Sequence, residues 1–239
     1  NEAFECIKKI ELIDSNNKVP GSLGIYLQEQ LGIDYKFKYL NLPLNYIQEF
    51  NIDTSNHENK NLMEELLIYT NKIPKTWEPL DKTTINGFQS KTNLFSEYKN
   101  DIPIKWTINI ISQCIKQYFS IHKNSNDNFI RKFPEKIKLK GWVVTLKKSG
   151  FQGSHNHPDG ILSGVFYIKI PKQLEKNQGN IEFSTHGYDF PRINKSTSKK
   201  IIKPKDGNLI LFPSTLFHKT VPYDLNEERI SIAFDVIEN

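Results

Sequence analysis

The feature that most restricts the fold is a change of period near residue 137. Downstream, five short runs of β-forming residues, at 139–146, 161–170, 180–183, 208–212 and 229–237, follow one another with Gly, Pro, Asp or Asn between them. Many short strands with no helical period between them fit an antiparallel sandwich or small barrel, the shape of jelly rolls and cupins. Upstream the period is helical, and 61–73 and 106–122 read as helices. In the second, Ile108, Ile111, Ile115 and Phe119 recur at three- and four-residue steps. That apolar stripe is expected to pack on the barrel. The Asn/Lys-rich stretches 51–61 and 123–128 read as exposed loops. The expected fold class is α+β, mainly β: one unit over 1–239, with a mainly helical supporting region at 1–136 and a jelly-roll core at 137–239.

Composition agrees with a single folded core. Hydrophobic residues make up 37% and charged residues 25%, with a mean hydropathy of -0.54, which excludes the disordered class. No apolar run approaches the roughly 20 residues of a membrane helix. The formal charge of +5 comes from lysines spread along the chain, whereas a nucleic-acid binder shows a concentrated basic stripe or interleaved aromatics. Neither a nucleic-acid nor a membrane partner is expected. Cys6 and Cys114 form no metal-type pair, and Cys114 sits among apolar residues where a buried, inert thiol is expected. The first residue is Asn1 rather than Met, so the start reads as trimmed and targeting is not legible; the cytoplasm is the favoured location.

Chemistry concentrates at two points of the β-rich region. Between two expected strands lies Gly150-Phe-Gln-Gly-Ser-His155-Asn-His157-Pro-Asp159-Gly. Residues two apart on a strand point the same way, so His157 and Asp159 can converge on one ion, as can His155 and His157. The second point is Gly207-Asn-Leu-Ile-Leu-Phe-Pro-Ser-Thr-Leu-Phe-His218, a strand and turn ending in another imidazole. Two histidines and a carboxylate on one side of a metal leave open positions opposite, which suits non-haem iron(II). Zinc accepts the same ligands.

Arg229 discriminates. In Arg229-Ile-Ser231-Ile-Ala-Phe234, alternation sets Arg229 and Ser231 on one face and Ile230, Ile232 and Phe234 on the other. With the apolar face turned to the helical half, a guanidinium points into the barrel, where it is costly unless paired. A bidentate carboxylate is its natural partner, and the distal carboxylate of 2-oxoglutarate fits. Each residue alone has an ordinary structural explanation. Their order, at strand edges of one expected jelly roll, points to a metal site. His57, His122 and His186 lack such company and read as structural or surface residues.

These residues resemble the 2-oxoglutarate- and iron(II)-dependent oxygenases of the HxHP…SGVYY…FPS…H…RxSxAF type. The correspondence runs through Gly150-Phe-Gln152, His155-Asn-His157-Pro158, Ser163-Gly-Val-Phe-Tyr167, Gly207 to Ser214, His218 and Arg229-Ile-Ser231-Ile-Ala-Phe234, with Asn86-Gly-Phe-Gln89-Ser90 as a weaker upstream segment. The resemblance implies a double-stranded β-helix that couples oxidation of a C–H bond to decarboxylation of 2-oxoglutarate, releasing succinate and CO2. It makes His157 and His218 iron ligands and Arg229 the co-substrate anchor. Asp159 completes the preferred ligand set at the HxD spacing, and His155 is the alternative third ligand; otherwise His155 has a substrate-side role or caps the turn. Tyr167 and Ser231 either line the co-substrate pocket or are core, and Trp142 reads as core. Two other functions share the pattern: a cupin-like three-histidine dioxygenase without 2-oxoglutarate, with Arg229 on the substrate, and a non-catalytic jelly-roll binding module. The expected substrate is a small molecule or a peptide, chosen by the loops 172–180 and 186–200 and part of the helical half. No oligomeric state is legible.

Overall fold

A computed structural model describes residues 2–194 and 197–239; Lys195 and Ser196, in one of the two loops expected to shape the mouth, lie outside the described residues. The chain begins with α1 (Glu2–Ile13) and α2 (Ile25–Leu31), then β1 (Gln48–Asn51), α3 (His57–Lys72), β2 (Lys75–Trp77) and β3 (Thr84–Ser90). Three helices follow: α4 (Leu94–Glu97), α5 (Ile102–His122) and α6 (Asn128–Arg131). The rest is β: β4 (Ile137–Gln152), β5 (Leu162–Lys169), β6 (Ile181–Ser184), β7 (Lys199–Ile202), β8 (Asn208–Pro213), β9 (Phe217–Thr220) and β10 (Arg229–Glu238).

Two antiparallel sheets result, of order β1-β8-β5-β10-β4-β3-β2 and β7-β6-β9, the double-stranded β-helix expected. The larger sheet has an outer face covered by helices and an inner face turned to the smaller sheet. On β10 the outward residues Ile230, Ile232, Phe234 and Val236 pack with Ile104, Ile111, Ile115 and Tyr118 of α5 and with Met63 and Leu66 of α3. Each such side chain contributes about 1.5–3 kcal/mol on burial, so this layer is the chief support of the sheet. Gly164 of β5 is opposite Phe234, and a Cβ there would meet the Phe234 ring at 2.2 Å. Between the sheets, Val165, Tyr167, Ile181, Phe183, Ile210 and Phe212 form a second core.

Three strands precede residue 137 and extend the sheet, which the sequence pattern did not reveal. β1 and β2 are only four and three residues long, and β3 carries a bulge between Ile85 and Gly87, with Asn86 at a φ of 48°. α3 starts at His57, inside a stretch read as loop, because the Asn56 side chain accepts from the amides of Glu58 and Asn59. α5 starts four residues before the expected point, with proline in its first turn. Its buried stripe runs through Ile111, Cys114, Ile115 and Tyr118, while Ile108 and Phe119 flank it, partly buried.

Candidate metal centre

β4 carries the chain to the open end of the inter-sheet layer, where His155 forms an isolated antiparallel bridge with His218. The two residues exchange backbone hydrogen bonds of 3.1 and 2.9 Å, which brings their imidazoles together, ring centroids 4.3 Å apart and planes tilted by 48°. His157, two residues on, points the same way, with its ring 5.1 Å from each of the others. One ring nitrogen from each of the three lies within 4.8 Å of the other two. Among the described residues no other group of three His, Cys, Asp or Glu converges like this.

Asp159 stays outside the group. His155 is a bridge residue, but the chain turns at Pro158-Asp159, closed by the Gly160 amide on the His157 carbonyl at 3.1 Å. Strand alternation therefore relates 155 to 157 and not 157 to 159, and Asp159 is exposed on that turn. The structure brings together His155, His157 and His218, and not the His157, Asp159 and His218 set preferred from sequence.

Each imidazole has its Nδ1 occupied by an acceptor. His155 Nδ1 is 2.7 Å from the Gly153 carbonyl, His218 Nδ1 is 3.2 Å from the Leu216 carbonyl, and His157 Nδ1 is 2.6 Å from Asp235 Oδ1. Carbonyls and carboxylates only accept, so Nδ1 carries the proton in all three and Nε2 keeps a free lone pair. Burial pushes the His155 imidazole down to about 4, helped by the neighbouring His157, and pushes His218 well below the usual range. These two rings are neutral bases at ordinary pH, the form that binds metals. The donor set and its tautomers fit a divalent ion such as iron(II).

A small cavity is lined by the three histidines together with Trp142, Val165, Phe212, Ala233, Tyr167, Thr220 and Arg229. Arg229 is only 2% exposed. Its guanidinium stacks 4.9 Å over the Tyr167 ring, and Nη1 donates to Thr220 Oγ1 at 3.4 Å. Its Nε has no hydrogen-bond partner, and among the described residues no carboxylate pairs with it. A buried, unpaired guanidinium with an orphaned N–H calls for an anion. Burial raises the Tyr167 phenol, and Arg229 partly offsets this. Ser231 is buried on the same face of β10 but is not on the cavity wall.

Outside the histidines lies an open cleft of about 790 Å³, walled by Gln89, Lys91, Asn93, Trp142, Gln152, Asn156, Asp159 and Tyr188 among others. Trp142, read as core, stacks on His157 with centroids 5.6 Å apart and lines both cleft and cavity. Thr220 and Asp235 escaped the sequence reading. For Asp235 a signal was present: it is six residues after Arg229 on one strand, an even spacing that sets both on the inner face. His186 is structural, its Nε2 held by the Phe190 carbonyl at 3.0 Å.

Residues 140–235 match the family described as "Putative 2OG-Fe(II) oxygenase". No curated protein matches the chain in sequence. Among solved structures the chain is similar to a prolyl-4-hydroxylase of Pseudomonas putida, with 11% identity and a TM-score of 0.56 over 81% of this chain and 92% of that one. It is also similar to a prolyl hydroxylase of Trichoplax adhaerens solved with a hypoxia inducible factor peptide, with 14% identity and a TM-score of 0.55 over 95% and 92%. HygX of Streptomyces hygroscopicus, solved with nickel and 2-oxoglutarate, has 10% identity and a TM-score of 0.53 over 81% and 83%. At such identities these likenesses establish the shared fold.

Proposed function

We propose that this chain, whose residues 140–235 match the family described as "Putative 2OG-Fe(II) oxygenase", holds iron(II) on His155, His157 and His218 and anchors 2-oxoglutarate on Arg229. It then acts as a dioxygenase that hydroxylates a C–H bond of a small molecule or peptide. Iron(II) with 2-oxoglutarate and O2 supplies the oxidising power: one oxygen atom enters the substrate and the other enters succinate as CO2 leaves. The three imidazoles would hold the ion through Nε2, His155 and His218 without releasing protons because burial keeps them neutral. Their placement on one rim leaves the side facing the cleft and cavity open. Arg229 would bind the distal carboxylate through its free N–H donors, with the Tyr167 ring 4.9 Å from the guanidinium and Thr220 accepting from Nη1. Val165, Phe212 and Ala233 exclude water between anchor and metal. Residues 137–239 form the catalytic core in this reading, and 1–136 support it and build part of the cleft. The two free cysteines, Cys6 and Cys114, fit a reducing compartment such as the cytoplasm.

The observation that carries the proposal is Arg229: a buried guanidinium with no carboxylate partner among the described residues, lining the same cavity as three converging imidazoles. The three-imidazole set also suits a metal dioxygenase with no organic co-substrate, and one assay separates the two. In air, with iron(II), the purified chain is expected to convert 2-oxoglutarate to succinate slowly even without its prime substrate, and Arg229→Ala to lose that turnover. Iron uptake with no succinate at any 2-oxoglutarate concentration contradicts the proposal, and no metal uptake at micromolar concentration favours a binding module.

A further inference from the structure

Three imidazoles bring no negative charge to a metal, yet a carboxylate stands directly behind one of them. Asp235 is 7% exposed, and among the described residues its one ion-pair partner is His157. Oδ1 accepts from His157 Nδ1 at 2.6 Å and from Ser163 Oγ at 2.6 Å. Ser163 Oγ is in turn 2.7 Å from Ser214 Oγ, and the Ser214 carbonyl accepts the His157 amide at 2.9 Å. The backbone and ring of His157 are thus held by one connected network.

The fold builds this network deliberately close. Ser163 and Asp235 are cross-strand partners on β5 and β10, both on the inner face. Gly160 lets the turn after His157 close over the pair, since a Cβ there would meet Ser214 Oγ at 2.5 Å and the Asp235 carboxyl carbon at 3.3 Å. Lys18, from the segment before α2, braces the same turn, its Nζ donating to the Pro158 carbonyl and, at 2.9 Å, to the Gly160 carbonyl.

Resting on the three-imidazole site proposed above, we infer that Asp235 is a positioning residue that supplies, through the Nδ1–H of His157, the negative charge the metal's own ligands lack. A carboxylate pulling on Nδ1–H fixes the tautomer, orients the ring and drives electron density toward Nε2. The half-enclosed setting strengthens that pull relative to water. The carboxylate that the HxD spacing offers as a ligand at Asp159 is thereby replaced by one acting at second hand, from the opposite strand.

The test is anaerobic titration of the metal-free full chain with Fe(II), and with Co(II) to read the visible ligand-field bands, comparing wild type with the isosteric, uncharged Asp235→Asn. The expected result is retained equimolar binding, an affinity weaker by about 10–100-fold, and displaced Co(II) bands, with the metal-free variant melting no lower than wild type. Equal affinity and unmoved bands overturn the inference alone. Complete loss of binding by a folded Asp235→Asn overturns it by making Asp235 a ligand, and a wild type that takes up no metal overturns the three-imidazole site as well. Should Asp235→Asn not fold, Ser163→Ala, which removes the second donor to the same oxygen, is read on the same measurements: weaker binding with displaced bands supports the inference, and no change overturns it.

Discussion

His155, His157 and His218 are poised by what their other nitrogens do. In the proposed site each Nδ1–H is already held, so removing one ring would remove a ligand and little of the core. His218→Ala is expected to abolish iron binding, measured as bound metal per chain, while circular dichroism stays that of the wild type; unchanged stoichiometry contradicts the assignment. His155→Ala is expected to do the same and Asp159→Gly to leave metal uptake intact, the reverse of what an HxD ligand set requires. Arg229→Lys spares iron but loses a fork of charge-assisted hydrogen bonds, each contributing about 1.5–3 kcal/mol. The 2-oxoglutarate concentration at half-saturation is expected to rise by about tenfold or more. Arg229 was legible from alternation along a single strand. The choice between Asp159 and His155 was not, because it depends on where the strand ends, and a proline after His157 bends the chain before the carboxylate can join. Asp235 was harder still, since its partner is 78 residues away and the pairing register brings them together.

At the scale of elements, β10 serves two layers at once. Its odd-numbered residues from Arg229 to Asp235 share one face, and its even-numbered residues join the core to which α5 and α3 contribute. Truncating the helix side tests whether that support is separable from chemistry. Ile111→Ala is expected to cost about 2–5 kcal/mol, read as a lower denaturant midpoint at unchanged slope, with metal stoichiometry unaltered. The strands of the C-terminal region were legible because their residues alternate or run apolar between clear turn signals. β1 and β2 were not, being short, polar edge strands whose existence depends on pairing with β8 and β3. Likewise the far end of β4, through Lys147-Lys148-Ser149-Gly150, has no hydrophobic period; β3 pairs with the residues on either side of it, Leu146 and Phe151-Gln152, and passes over the four between.

For the whole molecule, the helical layer covers the larger sheet, and the imidazoles line both the cleft and the cavity that holds Arg229, His155 and His157 on the cleft side and all three on the cavity side. No helix among the described residues is long and apolar enough to cross a membrane. Ligands that bind only the folded chain raise its stability. At about 100 times its dissociation constant one ligand adds roughly 2.7 kcal/mol, and for a chain of this size each kcal/mol raises the melting temperature by about 2–4 °C. Iron(II) is expected to raise it alone, and 2-oxoglutarate to raise it further only when metal is present. The most direct test of the shared site is the visible spectrum of the anaerobic iron(II)-loaded chain as 2-oxoglutarate is added. A metal-to-ligand charge-transfer band that grows to saturation in wild type, and needs much more 2-oxoglutarate in Arg229→Lys, is the result predicted. A spectrum that 2-oxoglutarate leaves unchanged while iron stays bound contradicts the account.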